Sequence, residues 1–246
     1  MRYFVKLSYK GTNYHGWQYQ PNAKSVQEDL EKAFSLILRS KIAITGAGRT
    51  DAGVHAKNFI AHFDFDKEFS SVQIKDLIYK LNSFISKDLA IHEIYQVDER
   101  MHARFDAKER TYQYFITTRK NPFTTESAWY VHGKLDVNKM NEACEILKEY
   151  NDFGSFAKLH SDNKTNICDL MEAHWEEKDE LLVFTIKADR FLRNMVRSIV
   201  GTMVDIGQGK TSLVEFRKII ESKDRNQAGR SVPGHGLFLV KIKYSI

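Results

Sequence analysis

The sequence predicts an α+β fold built from two halves that face each other across a cleft. Up to residue 97 the hydrophobic pattern gives the order strand, helix, strand, strand, helix, strand, which is the split βαβ, ferredoxin-like order. A looser series of strands and helices follows a basic stretch that ends at Arg104. We therefore expect residues 1–104 and 105–246 to form two ferredoxin-like halves with mixed or antiparallel sheets, and the functional site to lie in the cleft.

The composition is that of an ordinary globular chain of 246 residues. Hydrophobic residues make up 42% and charged residues 28%, which argues against the disordered and fibrous classes of protein. The formal net charge of +5 favours an anionic partner, although a soluble enzyme without one can carry the same modest excess.

Neither the N-terminus nor any other stretch suggests a membrane segment. The first six residues are too short an apolar run for a signal peptide, and no stretch reaches the roughly 18 apolar residues of a spanning helix. We therefore expect a cytoplasmic protein. Cys144 and Cys168 lack a paired C-x-x-C spacing, so both are predicted to be free thiols.

The first half begins with a strand at residues 2–9, where apolar and polar side chains alternate. An aromatic-rich loop follows at residues 11–20, and its rings could stack on nucleobases or pack beneath the loop. Ser25 and Glu28 have the spacing of a capping box and begin a helix that reaches Leu38. The remaining predicted elements are strands at 42–45, 59–65 and 90–97 and a helix at 74–85.

The second half contains one helix with Asp136 as its N-cap and another that Gly207 closes. Its polar loop at residues 160–166 is predicted to be the most mobile segment. The predicted elements are strands at 111–118, 181–187 and 236–244 and helices at 137–150, 191–205 and 215–221.

The glycine-rich stretch at residues 44–56 is the centre of the chain. Three glycines within eight residues leave its backbone free to turn sharply and to approach another molecule closely. Asp51 and Arg49 lie in this stretch, and a carboxylate beside a guanidinium can act as a nucleophile or general base. An ordinary turn with solvated charges is the alternative interpretation.

Three arginines recur at helical spacing in the second half. Arg190, Arg193 and Arg197 are predicted to share one face of a helix whose opposite face is apolar. This basic face is either merely solvated or a surface that grips phosphates. In the second case one arginine reaches the loop carboxylate, since guanidinium groups pair with both kinds of anion.

Metal and nucleotide chemistry have little support in the sequence. The nine histidines form no H-E-x-x-H pattern, and residues 44–56 contain neither a G-x-G-x-x-G fingerprint nor a Walker Gly-Lys-Ser/Thr. We therefore expect no metal and no nucleotide cofactor. His55 and His62 are interpreted as structural residues or RNA contacts.

Six sequence blocks carry a resemblance to a known family along nearly the whole chain. Residues 48–56, Gly-Arg-Thr-Asp-Ala-Gly-Val-His-Ala, resemble the active-site signature of the tRNA pseudouridine synthase A family. The other blocks are Y-x-G-T-x-Y-x-G-W-Q-x-Q at 9–20, Ser-Val-Gln at 25–27, His-Ala-Arg at 102–104 with R-x-Y-x-Y at 110–114, the third motif at 191–197 and the closing segment at 233–240.

The resemblance implies the pseudouridine synthase fold and a cofactor-free isomerase. Such an enzyme converts uridine to pseudouridine in the anticodon arm of tRNA, at positions 38, 39 and 40, and works as a homodimer with tRNA crossing both subunits. Asp51 matches the catalytic aspartate. The resemblance implies that this carboxylate assists by adding to the base, by adding to the ribose or by removing a ribose proton.

Four further residues match positions that have a role in the family. Tyr112 matches the tyrosine that stacks on the target base, and Arg197 matches the arginine that pairs with the catalytic carboxylate. Arg49 matches an arginine that helps to hold the uridine out of its helix, and Leu237 matches a leucine of the pocket wall.

Two other functions are compatible with the residues. One is a non-catalytic RNA-binding or chaperone protein that keeps the fold and a basic cleft. The other is a pseudouridine synthase that acts on another RNA.

Overall fold

The computed structural model describes residues 1–159 and 164–245. The chain divides into a first unit, Met1–Lys108 together with the segment that starts at Leu239, and a second unit, Glu109–Phe238. The predicted division into 1–104 and 105–246 stays a prediction. Most of the polar loop predicted at 160–166 lies outside the described residues.

The first unit has the predicted ferredoxin-like order of elements. The elements are β1 (Arg2–Tyr9), α1 (Val26–Leu38), β2 (Thr45–Gly46), β3 (His55–Asp64), α2 (Ser71–Phe84) and β4 (Leu89–Val97). Strand β1 pairs antiparallel with both β3 and β4, and β2 pairs with β3. The strand predicted at 42–45 is shorter and later than expected, since only two residues pair there.

Helix α1 begins where the sequence predicts. The Ser25 hydroxyl accepts a hydrogen bond from the backbone N–H of Glu28 at 3.3 Å, which satisfies one of the orphan donors of the first turn. The Glu28 carboxylate pairs with Lys32 one turn later, at 2.6 Å. The buried face of the helix carries Val26, Leu30, Ala33 and Phe34.

An aromatic core lies between this helix and the sheet. The ring of Phe34 on the helix packs against that of Phe63 on β3, with centroids 4.9 Å apart. Trp17 stacks on Phe59 with centroids 4.2 Å apart, and Tyr9 lies against the same ring at 5.5 Å. These rings are buried, so the sheet face below the glycine-rich loop is filled and rigid.

The second unit repeats the series strand, helix, strand, strand, helix, to which a short strand and a further helix are added. The elements are β5 (Ala107–Thr117), β6 (Trp129–Tyr130), α3 (Val137–Lys148), β7 (Leu170–Lys178), β8 (Leu181–Ala188), α4 (Met195–Gly207), α5 (Leu213–Ser222) and β9 (Leu237–Tyr244). Strand β5 begins within the first unit, and β9 continues into it. Strand β8 pairs antiparallel with β5 and β7, and β6 pairs parallel with β5.

The sequence missed strand β7. It forms a hairpin with β8, and Asp179 and Glu180 both have positive φ values at the turn, 49° and 64°. Two successive positive φ values are typical of a type I′ turn, which usually contains asparagine or glycine. Because this turn has neither residue and β7 is rich in charge, the usual sequence signals are absent.

Helix α4 is the central helix of the second unit. All its residues are buried except Arg197 and Asp205, which are partly exposed. The sulfur of Met203 accepts hydrogen bonds from the Sγ of Cys144 on α3, at 3.9 Å, and from the Nε1 of Trp175 on β7, at 3.3 Å. Cys144 and Cys168 are both free, as predicted, and both are buried.

Gly207 does not close α4 in the way the sequence predicted. The residue with positive φ after this helix is Gly209, at 71°. At Gly207 a Cβ atom would lie 2.6 Å from the sulfur of Met140. Its small size therefore allows α3 and α4 to approach closely. Among the described residues, no helix is long and apolar enough to cross a membrane.

His62 of β3 has a structural role in the first unit. Its Nδ1 accepts a hydrogen bond from the backbone N–H of Ala103 at 3.1 Å, and the ring meets His102 edge to face at 4.8 Å. Arg2 supports the same turn by donating to the carbonyl of Met101 at 2.9 Å. Burial and the nearby charge of Arg2 lower the pKa of His62 to about 4.

His62 makes folding stability depend on pH. The unfolded chain binds a proton on this ring near the ordinary histidine pKa of 6.5, whereas the folded chain does so only near 4, so stability falls as the pH drops from 6.5 towards 4. The full shift corresponds to about 3 kcal/mol. We expect His62→Asn, whose Oδ1 can replace Nδ1 as the acceptor, to flatten the pH dependence of the free energy of unfolding measured in urea.

The exposed His15 provides the matched control for this substitution. His15→Asn makes the same change of residue type at an exposed position, and its unfolding curves show what the substitution itself does to the free energy of unfolding. Equal slopes for wild type and His62→Asn would contradict the assigned protonation state.

Candidate active site

The glycine-rich loop joins β2 to β3 and turns sharply at Asp51. The N–H of Val54 donates to the carbonyl oxygen of Asp51 at 3.2 Å, and Gly53 between them has a φ of 77°. A single positive φ at the third of four residues is the geometry of a type II turn, which favours glycine there. The Asp51 side chain is partly exposed at this turn, and that of Arg49 is exposed.

The aromatic-rich segment before α1 holds this loop. The hydroxyls of Tyr9 and Thr50 hydrogen-bond at 2.9 Å, and the N–H of Trp17 donates to the carbonyl of Thr50 at 3.2 Å. The N–H of Gly53 donates to the carbonyl of Tyr14, also at 3.2 Å. These hydrogen bonds with one segment therefore fix the backbone on both sides of Asp51.

The rings of this segment divide between two roles. Tyr14 and Trp17 are buried, with exposures of 2% and 3%, so they pack beneath the loop. Tyr14 also donates its hydroxyl hydrogen to Asp29 at 2.8 Å. Tyr19 is 52% exposed, and of these three rings it is the one open to a partner.

Two glycines bring the segment and the loop into backbone contact. A Cβ atom at Gly11 would overlap the carbonyl of Val54, and one at Gly16, whose φ is 95°, would overlap the carbonyl of Thr50. Gly48 is different, because a Cβ atom there would meet nothing within 4 Å among the described residues and its φ is not positive. The space above Gly48 is therefore open.

His55 at the end of the loop is structural. Its Nδ1 accepts a hydrogen bond from the N–H of Gly11 at 3.0 Å, and the side chain is 3% exposed. His62 makes the same kind of hydrogen bond with Ala103, so both histidines stabilise nearby backbone. A buried imidazole that accepts through Nδ1 must be neutral, which agrees with the lowered pKa of His62. The sequence had left a structural role and RNA contact open for each.

Tyr112 lies on β5 in the second unit. Its cross-strand partner on β8 is Ile186, and its ring meets that of Phe191 edge to face, with centroids 5.1 Å apart. The ring is partly buried. A perpendicular contact leaves at least one face of the Tyr112 ring clear of Phe191, and a flat ring face can stack on a planar base.

Arg197 on α4 is fixed by the chain that precedes β9. Its Nε donates to the carbonyl of Val232 at 2.6 Å, and the N–H of Val232 donates back to the carbonyl of Arg197 at 3.3 Å. A guanidinium carries five N–H donors. One bond through Nε therefore orients the terminal amino groups, which are the groups that bind a carboxylate in a bidentate pair.

Leu237 begins β9 just after this chain and is 6% exposed. Tyr114 packs against the segment just before Leu237. The Tyr114 hydroxyl donates to the carbonyl of Pro233 at 2.9 Å, and a Cβ atom at Gly236 would lie 2.7 Å from the Tyr114 ring. Burial raises the pKa of Tyr114, and the charges of Arg197 and Arg230 oppose that shift. The sequence placed this tyrosine in the R-x-Y-x-Y block at 110–114 but assigned it no role.

The predicted helical face of three arginines is wrong. Helix α4 begins at Met195, and Asn194 before it has a φ of 68°, so the chain changes direction there. Arg190 and Arg193 therefore precede the helix, and Arg197 alone projects from it. The periodicity predicted too long a helix because residues 190–194 happen to continue its pattern.

The five predicted site residues divide between the units. Asp51 and Arg49 lie in one loop of the first unit, and Tyr112, Arg197 and Leu237 belong to the second. Within the described part of the chain, no group of three histidine, cysteine, aspartate or glutamate side chains could hold a metal ion.

Comparison with known proteins gives matches to one family. A family model of tRNA pseudouridine synthase matches residues 143–245. A tRNA pseudouridine synthase A from Parabacteroides distasonis is 51% identical over 99% of this chain and 96% of its own length. One from Bacteroides thetaiotaomicron is 53% identical over 99% of this chain and 90% of its own length. One from Bacillus subtilis is 38% identical over 99% of each chain.

The chain belongs to the tRNA pseudouridine synthase A family. Family membership confirms the resemblance drawn from the motifs and the α+β class. One solved structure, a CRISPR endoribonuclease Cse3 bound to 19 nt RNA, aligns over 85% of this chain and 94% of its own at 12% identity and a TM-score of 0.20. A likeness this low says nothing about the site.

The backbone contacts of the loop predict different outcomes for two glycine substitutions. Gly11→Ala forces a methyl group into the carbonyl of Val54 and should lower the free energy of unfolding by about 1–3 kcal/mol. Gly48→Ala should leave it unchanged or slightly raised, since the added methyl group meets open space. Urea unfolding of both variants measures the difference, and equal losses would contradict the described packing.

Proposed function

We propose that this chain converts uridine to pseudouridine in the anticodon stem-loop of tRNA, at positions 38, 39 and 40, without a cofactor. The observation that carries the proposal is the Asp51 turn. A partly exposed carboxylate is held there by hydrogen bonds to the flanking backbone, in a chain that is 51% identical to a tRNA pseudouridine synthase A.

The reaction is an isomerisation and needs no co-reactant. The bond between N1 of the base and C1′ of the ribose breaks, the base turns, and a bond forms between C5 and C1′. The proton on C5 leaves and N1 gains one, so atoms and electrons balance. The Asp51 carboxylate assists by adding to the base or ribose, or by removing a ribose proton.

Arg197 pairs with the catalytic carboxylate in this proposal. A neighbouring guanidinium keeps a carboxylate ionised and fixes its direction. The bond from Arg197 Nε to the Val232 carbonyl supports this role, because it orients the terminal amino groups before substrate binds.

Tyr112, Arg49 and Leu237 act on the uridine itself. The Tyr112 ring stacks on the target base, and the exposed Arg49 helps to hold the nucleotide out of its helix, since an enzyme can reach a base only after extrusion. Leu237 forms an apolar wall. The open space above Gly48 gives the extruded nucleotide room beside the backbone.

The same resemblance supports a cytoplasmic homodimer with tRNA crossing both subunits. A net charge of +5 suits a polyanionic substrate. The non-catalytic alternative has less support, because an RNA chaperone has no need of a carboxylate held on a rigid turn.

Replacing the carboxylate tests the chemistry. We expect Asp51→Asn to lower the rate of pseudouridine formation in a tRNA transcript by on the order of a thousandfold or more, while the dissociation constant for tRNA changes little. Pseudouridine is measured by release of the C5 hydrogen, labelled with tritium. Asp66→Asn removes an exposed carboxylate and provides the control.

Activity that persists in Asp51→Asn would remove this residue from the mechanism. Mapping of pseudouridine in total RNA from cells with and without the gene tests the substrate. Sites that disappear from an RNA other than tRNA would support the alternative synthase, and no change at any site would support the non-catalytic protein.

The proposed stacking of Tyr112 on the target base gives a separate prediction. Base stacking on an aromatic ring contributes about 1–3 kcal/mol, so Tyr112→Ala should lower kcat/KM for tRNA by roughly tenfold to a hundredfold. Tyr130→Ala removes a ring that is 46% exposed on β6 and should have little effect. Equal kcat/KM values for wild type and Tyr112→Ala would contradict stacking.

A further inference from the structure

The loop between α5 and β9 presents two arginines, Arg225 and Arg230. Among the described residues, no carboxylate pairs with Arg225 or Arg230. Lys223 forms an ion pair with Asp152 at 2.9 Å, whereas Asp224 accepts hydrogen bonds from Asn226, whose neutral donors do not cancel the charge of a carboxylate. Two guanidiniums against this one carboxylate leave the loop with a net positive charge.

Arg225 is held in place by neutral acceptors. Its Nη1 donates to the carbonyl of Ala228 at 3.2 Å and its Nη2 to the hydroxyl of Ser231 at 2.9 Å. The same hydroxyl accepts from the side-chain amide of Asn194 at 2.6 Å. Burial lowers the pKa of Arg225, because a guanidinium removed from water loses part of its solvation.

Arg230 is held by an aromatic ring, and its charge influences a tyrosine that Arg197 also influences. Its guanidinium carbon sits 5.2 Å from the centre of the Trp129 ring, a cation–π contact. Both Arg230 and Arg197 are near enough to Tyr114 for their charges to affect the pKa of its hydroxyl.

The backbone of the loop packs directly against α4. A Cβ atom at Gly201 would overlap the carbonyl of Arg230, and one at Gly229 would lie 2.8 Å from the N–H nitrogen of Thr202. The N–H of Gly229 donates to the Thr202 hydroxyl at 2.9 Å. The two guanidiniums are therefore fixed relative to the helix that bears Arg197.

We propose that Arg225, Arg230 and the exposed Ser231 form a phosphate site that binds the backbone of the RNA substrate. The proposal rests on the proposed function for the identity of the RNA. Guanidinium groups that are oriented before binding match phosphodiester oxygens in charge and geometry. Such a contact fixes the register of the RNA on the second unit and reads no base.

Binding of tRNA at several salt concentrations tests the site. Arg225→Gln and Arg230→Gln should each raise the dissociation constant roughly tenfold at low salt. Each should also reduce the slope of log Kd against log salt by about 0.7–0.9, because one phosphate contact is lost. Two tRNA transcripts with different anticodon-stem sequences should be weakened equally.

Arg217→Gln is the matched control. It removes the same charge from α5, but Arg217 already forms a bidentate pair with Glu149 at 2.6 Å and 2.8 Å, so its salt slope should equal that of the wild type. Arg225→Lys keeps the charge and should keep most of the slope. If Arg225 only supported the fold, Arg225→Gln would lower thermal stability and leave the slope unchanged.

The outcomes separate this inference from the proposed function. A wild type that binds and modifies tRNA, with Arg225→Gln and Arg230→Gln both unchanged in Kd and slope, would overturn the phosphate site alone. A wild type that binds no tRNA would overturn both. Losses of affinity and slope in both variants, with Arg217→Gln unaffected, would establish the site.

Discussion

The shape of the Asp51 loop depends on direct contact between two stretches of backbone. Residues 9–17 lie against residues 50–54 so closely that Gly11 and Gly16 have no room for a Cβ atom. Hydrogen bonds from Tyr9, Trp17 and Gly53 complete the contact. A loop rich in glycine is flexible in isolation because many conformations are open to it. Here the neighbouring segment selects one of them.

Close contact between backbone segments also shapes the second unit around α4. Gly201 and Gly229 allow the loop before β9 to lie against the helix, and the backbone of Val232 then holds Arg197 from both sides. The side chains proposed for catalysis in both units are thus positioned by backbone contacts rather than by side-chain packing alone. This arrangement suits a site that must place charged groups accurately, because hydrogen-bonded backbone moves less than long side chains do.

Much of the fold could be predicted because the signals were local. Alternating patterns located β1 and β3, and Ser25 marked the start of α1. The errors arose where a tertiary contact overrode the local pattern. Strand β7 is stabilised by pairing with β8 across a turn without glycine, and α4 starts late because Asn194 takes a positive φ.

The sequence by itself determined the element order of the first half, the family and the candidate catalytic residues, since these depend on residue identity and spacing. The tertiary structure decided which glycines permit backbone contact, which histidines are buried and which arginines of the described chain have no acidic partner. These properties arise from atoms that are distant in the chain and close in space. Gly11 and Gly48 look alike in the sequence, yet a neighbouring carbonyl fills the space beside the first and the space beside the second is open.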